Sequence, residues 1–477
     1  MPTNWKNAYL PSTVDDFNVY LNHGYHGAFA EDQWKATPKL TLNYGLRWDF
    51  ETGLDNVIRP HRLDLAPRVG LAYALSDKTV IRSGFGVFYD RYSMSFIFIM
   101  YPQRPVQIPG VSVPGTRKGS DTAGWILQQM TPGPGGLPAD AAKTLVLTGQ
   151  LPPSYITGPC PLSCTAGGTL VDPNSRTPYS EQSSFEIDHE FRTGLTASLG
   201  YLFVAAHHQV RAENLNVSLP VGKLPNGKDL FNGPLYDNAG LLYYTDDSGN
   251  SIYHGITAQI AQRYGKYFNM NVNYTFSKTL DDGTFTTFVS TPQDLYKRNL
   301  ERANSNQDVR HRAVGNFVLT APEKSWARNF ELSGIVTLQS GRPFTEFVGF
   351  DANNDTNPVT DRVGLSARNT YWGDSLQAVD LRLTRYFAIR ERTRLMVSVD
   401  AFNALNRPNV DEVNSVYGAA DFCGAVPVHY KDAASLAVQG LQVGCPAGGP
   451  PIPNPLFGTP RTMLNPRQFQ FSAKLEF

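Results

Sequence analysis

The residues best suited to chemistry lie in one segment rich in Asn and Asp. Four oxygen-bearing side chains stand there at alternate positions: Asp351, Asn353, Asp355 and Asn357. Oxygen donors in this spacing can wrap around Ca²⁺, as they do in the EF-hand loop. We therefore predict a calcium loop in which Asp351, Asn353 and Asp355 are ligands, and we predict no other cofactor.

The segment departs from the EF-hand pattern at two positions. Thr356 replaces the glycine, and Arg362 occupies the position of the final glutamate. The alternative is an ordinary turn, because Asn and Asp side chains readily bond their own backbone.

The four cysteines form two pairs that are each close in sequence: Cys160 with Cys164, and Cys423 with Cys445. Both pairs fall in segments rich in Pro and Gly, and close pairs in loops are typical of local disulfides in an oxidising compartment. A four-cysteine metal site is the alternative. It would require the two loops to converge, and no CxxC spacing supports it.

The sequence lacks the motifs of the common enzyme classes. There is no GxSxG, HExxH or GxxxxGK[ST] segment. The pair His207–His208, at the start of a predicted long loop, and His311 in Arg310–His311–Arg312 have no third ligand at metal spacing. We interpret these histidines as surface polar residues and predict that the protein is not an enzyme.

The composition narrows the classes of protein further. Lys+Arg and Asp+Glu both number 42, so there is no basic excess for binding nucleic acid. Charged residues make up only 18% and aromatic residues 12%. No apolar run is long enough for a transmembrane helix. A membrane protein built from β-strands remains compatible with this composition, because the sequence signal of each membrane-spanning strand is weak.

Period-two alternation is the dominant pattern of the chain. In KLTLNYGLRWDF, for example, one face carries Leu42, Tyr44, Leu46 and Trp48, and the other is polar. Such alternation predicts strands with two unlike faces. About thirteen strands are predicted, beginning near residues 22, 39, 66, 79, 180, 195, 252, 268, 309, 330, 376, 392 and 465.

Short and long connections alternate between these strands. The predicted long connections are 52–64, 91–178, 207–250, 280–307, 342–375 and 407–461. Tight turns at one end and long loops at the other are typical of outer-membrane barrels, whose periplasmic turns are short. The predicted fold is all-β, an antiparallel transmembrane β-barrel with long extracellular loops.

Several segments in order resemble the TonB-dependent outer-membrane receptors, specifically their Oar-like branch. They include AEDQWKATPKLTLNYGLRWDF, KTVIRSGFGVFYDRY, TPYSEQSSFEIDHEF, QDVRHRAVGNFVL, LSGIVTLQSGRPF and VDAFNALNRPNV. The resemblance implies a 22-stranded barrel closed by an N-terminal plug. It also implies transport that uses energy from an inner-membrane partner.

The last strand carries apolar residues at alternate positions: Phe469, Phe471, Leu475 and Phe477. These residues look like the signal that the outer-membrane insertion machinery recognises. The alternative is an ordinary final strand, for which any apolar residue would serve.

The chain departs from the family in having no plug, no motif for the energising partner and no export signal. About nine of the 22 strands are also unaccounted for. We therefore expect residues 1–477 to be a partial barrel domain, the C-terminal part of a longer receptor. Its edges near residues 22–35 and 465–477 would then be open.

The sequence thus predicts an outer-membrane receptor and transport barrel in a Gram-negative-type bacterium. The expected partners are membrane lipid, the insertion machinery, an unknown extracellular ligand and, only through a plug, the energising inner-membrane complex. No nucleic-acid partner is expected. The alternatives are a structural or adhesive barrel that displays ligand-binding loops, and a passive pore.

Overall fold

The computed structural model describes most of the chain. The residues outside the description are 1–22, 55–57, 93–168, 173, 215–216, 225–226, 234–242, 264–265, 284–291, 350, 356, 358–359, 365, 391–392 and 419–453. The predictions for Cys160, Cys164, Cys423 and Cys445 lie outside the described residues, as does most of the loop 91–178.

Thirteen strands follow one another in a single antiparallel sheet. In order they are β1 (Gly24–Thr37), β2 (Leu40–Thr52), β3 (Asp64–Ser76), β4 (Thr79–Tyr89), β6 (Tyr179–Arg192), β7 (Leu195–Asn214), β10 (Tyr243–Gln262), β11 (Phe268–Asp281), β13 (His311–Thr320), β14 (Phe330–Gln339), β17 (Leu376–Arg390), β18 (Thr393–Phe402) and β21 (Gln468–Glu476). The predicted all-β, antiparallel fold and its thirteen strands are confirmed.

Among the described residues, the remaining elements are short and lie in the long connections. They are β5 (Thr169–Val171), β8 (Pro220–Lys223), β9 (Asp229–Phe231), β12 (Ala303–Asn304), β15 (Pro343–Phe344), β16 (Tyr371–Trp372), β19 (Val410–Val413), β20 (Pro460–Met463) and one 3₁₀ turn, Arg298–Glu301. Three pairs form small separate sheets, namely β8–β9, β15–β16 and β19–β20, whereas β5 and β12 join the main sheet.

The strands have the two unlike faces that the alternation predicts. In β2, Trp48 is 38% exposed and Leu46 48%, whereas the neighbouring Asp49 is 4% exposed. Apolar residues meet directly across strands, as Ile187 does with Leu199 and Ile81. The exposed apolar rows form the surface that faces lipid in an outer-membrane barrel.

The opposite face of the sheet is polar and internally bonded. Arg47 contacts Asp49 at 2.8 Å, and the Ser198 hydroxyl donates to Asp188 at 2.5 Å. Further along the sheet, the Gln259 amide donates to Asn271 at 2.7 Å. These bonds satisfy polar side chains on the side of the sheet turned away from lipid.

The predicted bounds of the long connection 207–250 are wrong. β7 and β10 each run for 20 residues, so His207 and His208 lie within a strand and do not begin a loop. The pairing of these strands is irregular between Asp246 and Ser251, and His208 has a left-handed φ of 57°. This irregularity breaks the period-two pattern, which explains why the sequence suggests that the strands end earlier.

The edges of the main sheet are β1 and β21. Among the described residues each of them pairs with a single strand, and no pairing joins the two. Within the described part of the chain, no helix is long and apolar enough to span a bilayer.

Candidate functional site

The long connections meet at one end of the sheet and enclose a cleft of about 650 Å³. We call it the loop-side cleft. Its charged lining includes Arg211, Glu301, Arg342, Arg362, Arg368 and Arg461. β15, β19 and β20 also contribute, so the cleft is built by segments that follow the ends of several strands.

A buried carboxylate organises the arginines of the loop-side cleft. Glu301, at the end of the 3₁₀ turn, is 4% exposed. Arg362 Nη1 donates to both of its oxygens, at 3.0 and 2.9 Å. Arg368 Nε lies 3.4 Å from Glu301 Oε2 and donates to the Glu301 carbonyl at 3.1 Å. Charge-assisted bonds of this kind hold the two guanidinium groups in fixed orientations.

Two further ion pairs connect this cluster to β11. Arg368 Nη2 contacts the carboxylate of Asp281, and it also donates to the Asp281 carbonyl at 3.1 Å. Arg302 Nη1 donates to Asp282 at 3.0 Å. Asp281, the last residue of β11, and Asp282 directly after it therefore anchor the connection that carries the 3₁₀ turn.

A second charged cluster surrounds the irregular part of β7 and β10. Arg298 Nη1 lies 2.5 Å from the fully buried Glu213 and 3.0 Å from Asp246. Burial favours the protonated form of Asp246, but Arg298 and the bonds from Ser248 outweigh it and lower the pKa of that carboxyl. Burial lowers the pKa of the neighbouring Arg211, and the nearby Arg298 adds to this effect.

The rim of the cleft keeps charges of both signs exposed to solvent. Arg342 is exposed, and no ion pair within 4 Å is found for it in the described part of the chain. Arg461 and Glu412 lie 4.0 Å apart with 73% and 60% of their side chains exposed. Such groups can bind a polar ligand, whereas Arg362 and Arg368 already have carboxylate partners.

The predicted calcium ligands lie beside the cleft, in the connection between β15 and β16. Asp351 is half-buried, whereas Asn353 and Asp355 are buried. The structure brings Asp351 and Asp355 together with Asp361, so that one oxygen of each carboxylate lies within 4.8 Å of the others. The Asn353 side chain accepts from the Asp355 N–H at 3.0 Å and donates to the Gln293 carbonyl at 3.2 Å.

The sequence does not predict Asp361 as a member of this cluster. Asp361 stands one position before Arg362, which the EF-hand comparison placed at the final ligand position. Arg362 instead pairs with Glu301, and Asp361 takes the place beside the other carboxylates. Two adjacent residues with opposite charges and different partners cannot be assigned from spacing alone.

The four apolar residues of the predicted assembly signal share one exposed face of the chain's last segment. Phe469 is 59% exposed, Phe471 76%, Leu475 44% and Phe477 92%. Their alternation in β21 continues the lipid-facing rows of the sheet. Their recognition by the insertion machinery stays a prediction.

Comparison with protein families identifies the class of protein. The model of the outer membrane beta barrel domain matches residues 7–58, 53–363 and 348–431. These segments cover most of the chain, and the chain therefore belongs to this family. It is a β-barrel protein of the outer membrane of a Gram-negative bacterium. No curated protein matches the chain in sequence.

Several solved structures of outer-membrane proteins are similar to this chain. The ferripyoverdine receptor FpvA of Pseudomonas aeruginosa, bound to a heterologous pyoverdine, is 12% identical with a TM-score of 0.46, over 95% of this chain and 38% of that one. The ferric enterobactin receptor PfeA of the same species is 13% identical with a TM-score of 0.49, over 95% and 45%.

The outer membrane transporter YddB of Escherichia coli is 10% identical with a TM-score of 0.46, over 82% of this chain and 42% of that one. The chain thus spans less than half the length of each of these three proteins.

Proposed function

We propose that this chain is part of a TonB-dependent receptor of the Oar-like branch and that it binds an extracellular ligand in the loop-side cleft. The observation that carries the proposal is the cleft itself, which lies at the long-loop end of a sheet with a lipid-facing surface. Long loops of outer-membrane barrels face the outside of the cell, so a ligand would meet this cleft first.

The chemistry of the cleft favours binding over catalysis. Arg362 and Arg368 are held by carboxylates, as Arg362 is by Glu301 at 2.9 Å. Groups held in this way are positioned but are not available to transfer protons. The exposed Arg342 and the Arg461–Glu412 pair would provide the polar contacts to the ligand.

Transport would require a plug and an energising inner-membrane complex, which are proposals for this chain. The family resemblance implies that a plug would rearrange when the ligand binds, driven by an inner-membrane complex that contacts the plug. We propose that residues 1–477 supply barrel strands and ligand-binding loops to such a receptor. A structural or adhesive barrel with the same loops is the second candidate.

The proposal is tested by ligand retention. Purified protein in detergent is incubated with a small-molecule extract of spent culture medium, and retained compounds are identified by mass spectrometry. We expect at least one compound to bind the parent protein and to bind the Arg342→Glu variant at least tenfold more weakly, about 1.4 kcal/mol. Arg328→Glu, an exposed arginine in a short turn, is the matched control.

Retention of the same compounds by Arg342→Glu would contradict binding in the cleft. Retention of none by the parent, together with adhesion of whole cells that depends on the long loops, would favour the adhesive barrel.

A further inference from the structure

The acidic loop, residues 351–361, has an excess of buried negative charge. Three carboxylates meet in it, and two of them belong to residues with almost no solvent exposure: Asp355 is 6% exposed and Asp361 0%. Burying unneutralised carboxylates is unfavourable, so a cluster of this kind favours a positive partner or uptake of protons.

A buried lysine acts on one carboxylate of the cluster. Lys228, in the connection between β8 and β9, is 4% exposed and acts electrostatically on Asp361. The nearby Arg362 and Arg368 are instead held by Glu301.

One oxygen in the cluster is left without a hydrogen bond. Asp361 Oδ2 accepts from the backbone N–H of Ala352 at 2.6 Å and of Asn353 at 3.4 Å. Asp361 Oδ1 is buried and has no hydrogen-bond donor among the described residues. Buried carboxylate oxygens in proteins nearly always have a donor or a bound ion. This oxygen is therefore a second indication of a ligand, independent of the acidic cluster.

The backbone of the acidic loop is already folded around this point. The Asp355 N–H donates to Asp351 Oδ1 at 3.1 Å, and the Asn357 N–H donates to Asp355 Oδ1 at 2.8 Å. Asn354 has a left-handed φ of 60°, which turns the chain sharply between the two aspartates. Contacts from Phe231 and Gly233 to the carbonyls of Asn353 and Asn354 fix the loop from outside.

We propose that the acidic loop binds one Ca²⁺ through the carboxylates of Asp351, Asp355 and Asp361. Calcium binds oxygen ligands at about 2.3–2.6 Å, so oxygens on opposite sides of the ion lie up to about 5 Å apart. One oxygen of each of the three carboxylates lies within 4.8 Å of the others, which fits this geometry. This proposal does not depend on the identity of the ligand that binds in the loop-side cleft.

Calcium would also have a structural consequence for the loop-side cleft. The acidic loop leads directly into Arg362, which lines the cleft and pairs with Glu301. An ion held by Asp361 would therefore fix the backbone next to that pair. Extracellular calcium modules commonly bind with Kd values of about 10⁻⁴–10⁻³ M, which suits a loop on the cell surface.

The test compares the full chain in detergent with its Asp361→Asn variant after removal of divalent ions by EDTA. Titration with CaCl₂ in a calorimeter should show one more Ca²⁺ bound by the parent than by the variant. Asp77→Asn, an exposed acid in the short turn between β3 and β4, should bind as the parent does. Equal stoichiometry for the parent and Asp361→Asn would overturn the proposal.

Hydrogen exchange of the unaltered chain provides a measurement that does not depend on a variant. Amides of residues 351–361 should exchange at least tenfold more slowly in CaCl₂ than in EDTA, and MgCl₂ at the same concentration should protect them less. Identical exchange in CaCl₂ and EDTA would contradict calcium binding at this loop.

Discussion

At the scale of single residues, Glu301 is the carboxylate on which the arginines of the loop-side cleft depend. It neutralises Arg362 directly, it forms an ion pair with Arg368, and its carbonyl accepts a hydrogen bond from Arg368. Both guanidinium groups are largely buried, with 4% and 17% of their side chains exposed. Loss of one partner from such a cluster leaves an uncompensated charge in a poorly hydrated site.

We therefore expect Glu301→Gln to destabilise the connections around the cleft by about 3–5 kcal/mol. Hydrogen exchange of residues 345–349 and 360–369 should accelerate accordingly, while exchange of β1–β4 stays as in the parent. Glu323→Gln, an exposed glutamate in the turn between β13 and β14, is the control. Unchanged exchange around the cleft in Glu301→Gln would show that this carboxylate does not hold the loops.

Asp246 is a second single residue that matters, because its contribution to the stability of the fold depends on pH. Its folded-state pKa lies below the usual 3.8, even though burial favours the protonated form, because Arg298 and the bonds from Ser248 stabilise the carboxylate. A lowered carboxyl pKa means that the stabilisation is present above pH 3.8 and is lost as pH falls below it.

We expect the outer ends of β7 and β10 to lose protection against hydrogen exchange as pH falls from about 4 to 2, after correction for intrinsic exchange rates. The Asp246→Asn variant should be less protected at pH 6 and should show a weaker change over the acid range. An Asp77→Asn control should behave as the parent. The same acid response in Asp246→Asn and the parent would assign the effect to other carboxylates.

The sequence predicts some of these residues and not others. Asp351 and Asp355 are recognisable because their spacing repeats over a few residues. Glu301 is not recognisable, because its partner Arg362 comes from another connection. Asp361 is not recognisable, because the next residue in sequence carries the opposite charge. Contacts between segments 61 residues apart, such as Arg362 with Glu301, leave no local pattern.

At the scale of elements, the thirteen strands are predictable because each one has an apolar and a polar face. β2 shows this clearly: Leu46 and Trp48 are exposed on the lipid side, and Asp49 is buried on the other. The ends of β7 and β10 are less predictable, since beyond the lipid-facing part neither face has to be apolar. Their outer residues are held by Arg298, Glu213 and Asp246 instead.

The short pair β15–β16 depends on a close approach of two backbones. A Cβ atom added at Gly341 would lie 1.8 Å from the Gly373 carbonyl oxygen, which is far inside any real contact. A Cβ atom at Gly373 would lie 3.4 Å from the Arg342 carbonyl, which is tight but possible to accommodate. The Gly373 N–H donates to that Arg342 carbonyl at 2.9 Å, next to the cleft.

We expect Gly341→Ala to separate β15 from β16 and to widen the loop-side cleft. Hydrogen exchange of the residue 371–373 amides should be faster in Gly341→Ala by at least tenfold. Gly373→Ala is the matched substitution and should change this exchange much less. Equal effects of the two substitutions would argue that the β15–β16 pair does not depend on the close backbone contact at Gly341.

At the scale of the whole molecule, the sheet has an exposed apolar face, a bonded polar face, short turns at one end and long connections at the other. Family membership assigns this arrangement to the outer membrane. The described edges β1 and β21 each have one strand neighbour, and unpaired backbone groups are unfavourable in lipid. We infer that further strands or a direct pairing must cover both edges in the membrane.

The central claim is that the chain spans the outer membrane with its long connections outside and its short turns in the periplasm. It is tested by inserting one epitope between Pro455 and Leu456 in a long connection, and the same epitope between Lys324 and Ser325 in a short turn. In intact cells, antibody should label the first protein and not the second. After permeabilisation of the outer membrane it should label both. Labelling of the short-turn epitope in intact cells, or of neither epitope after permeabilisation, would contradict this account.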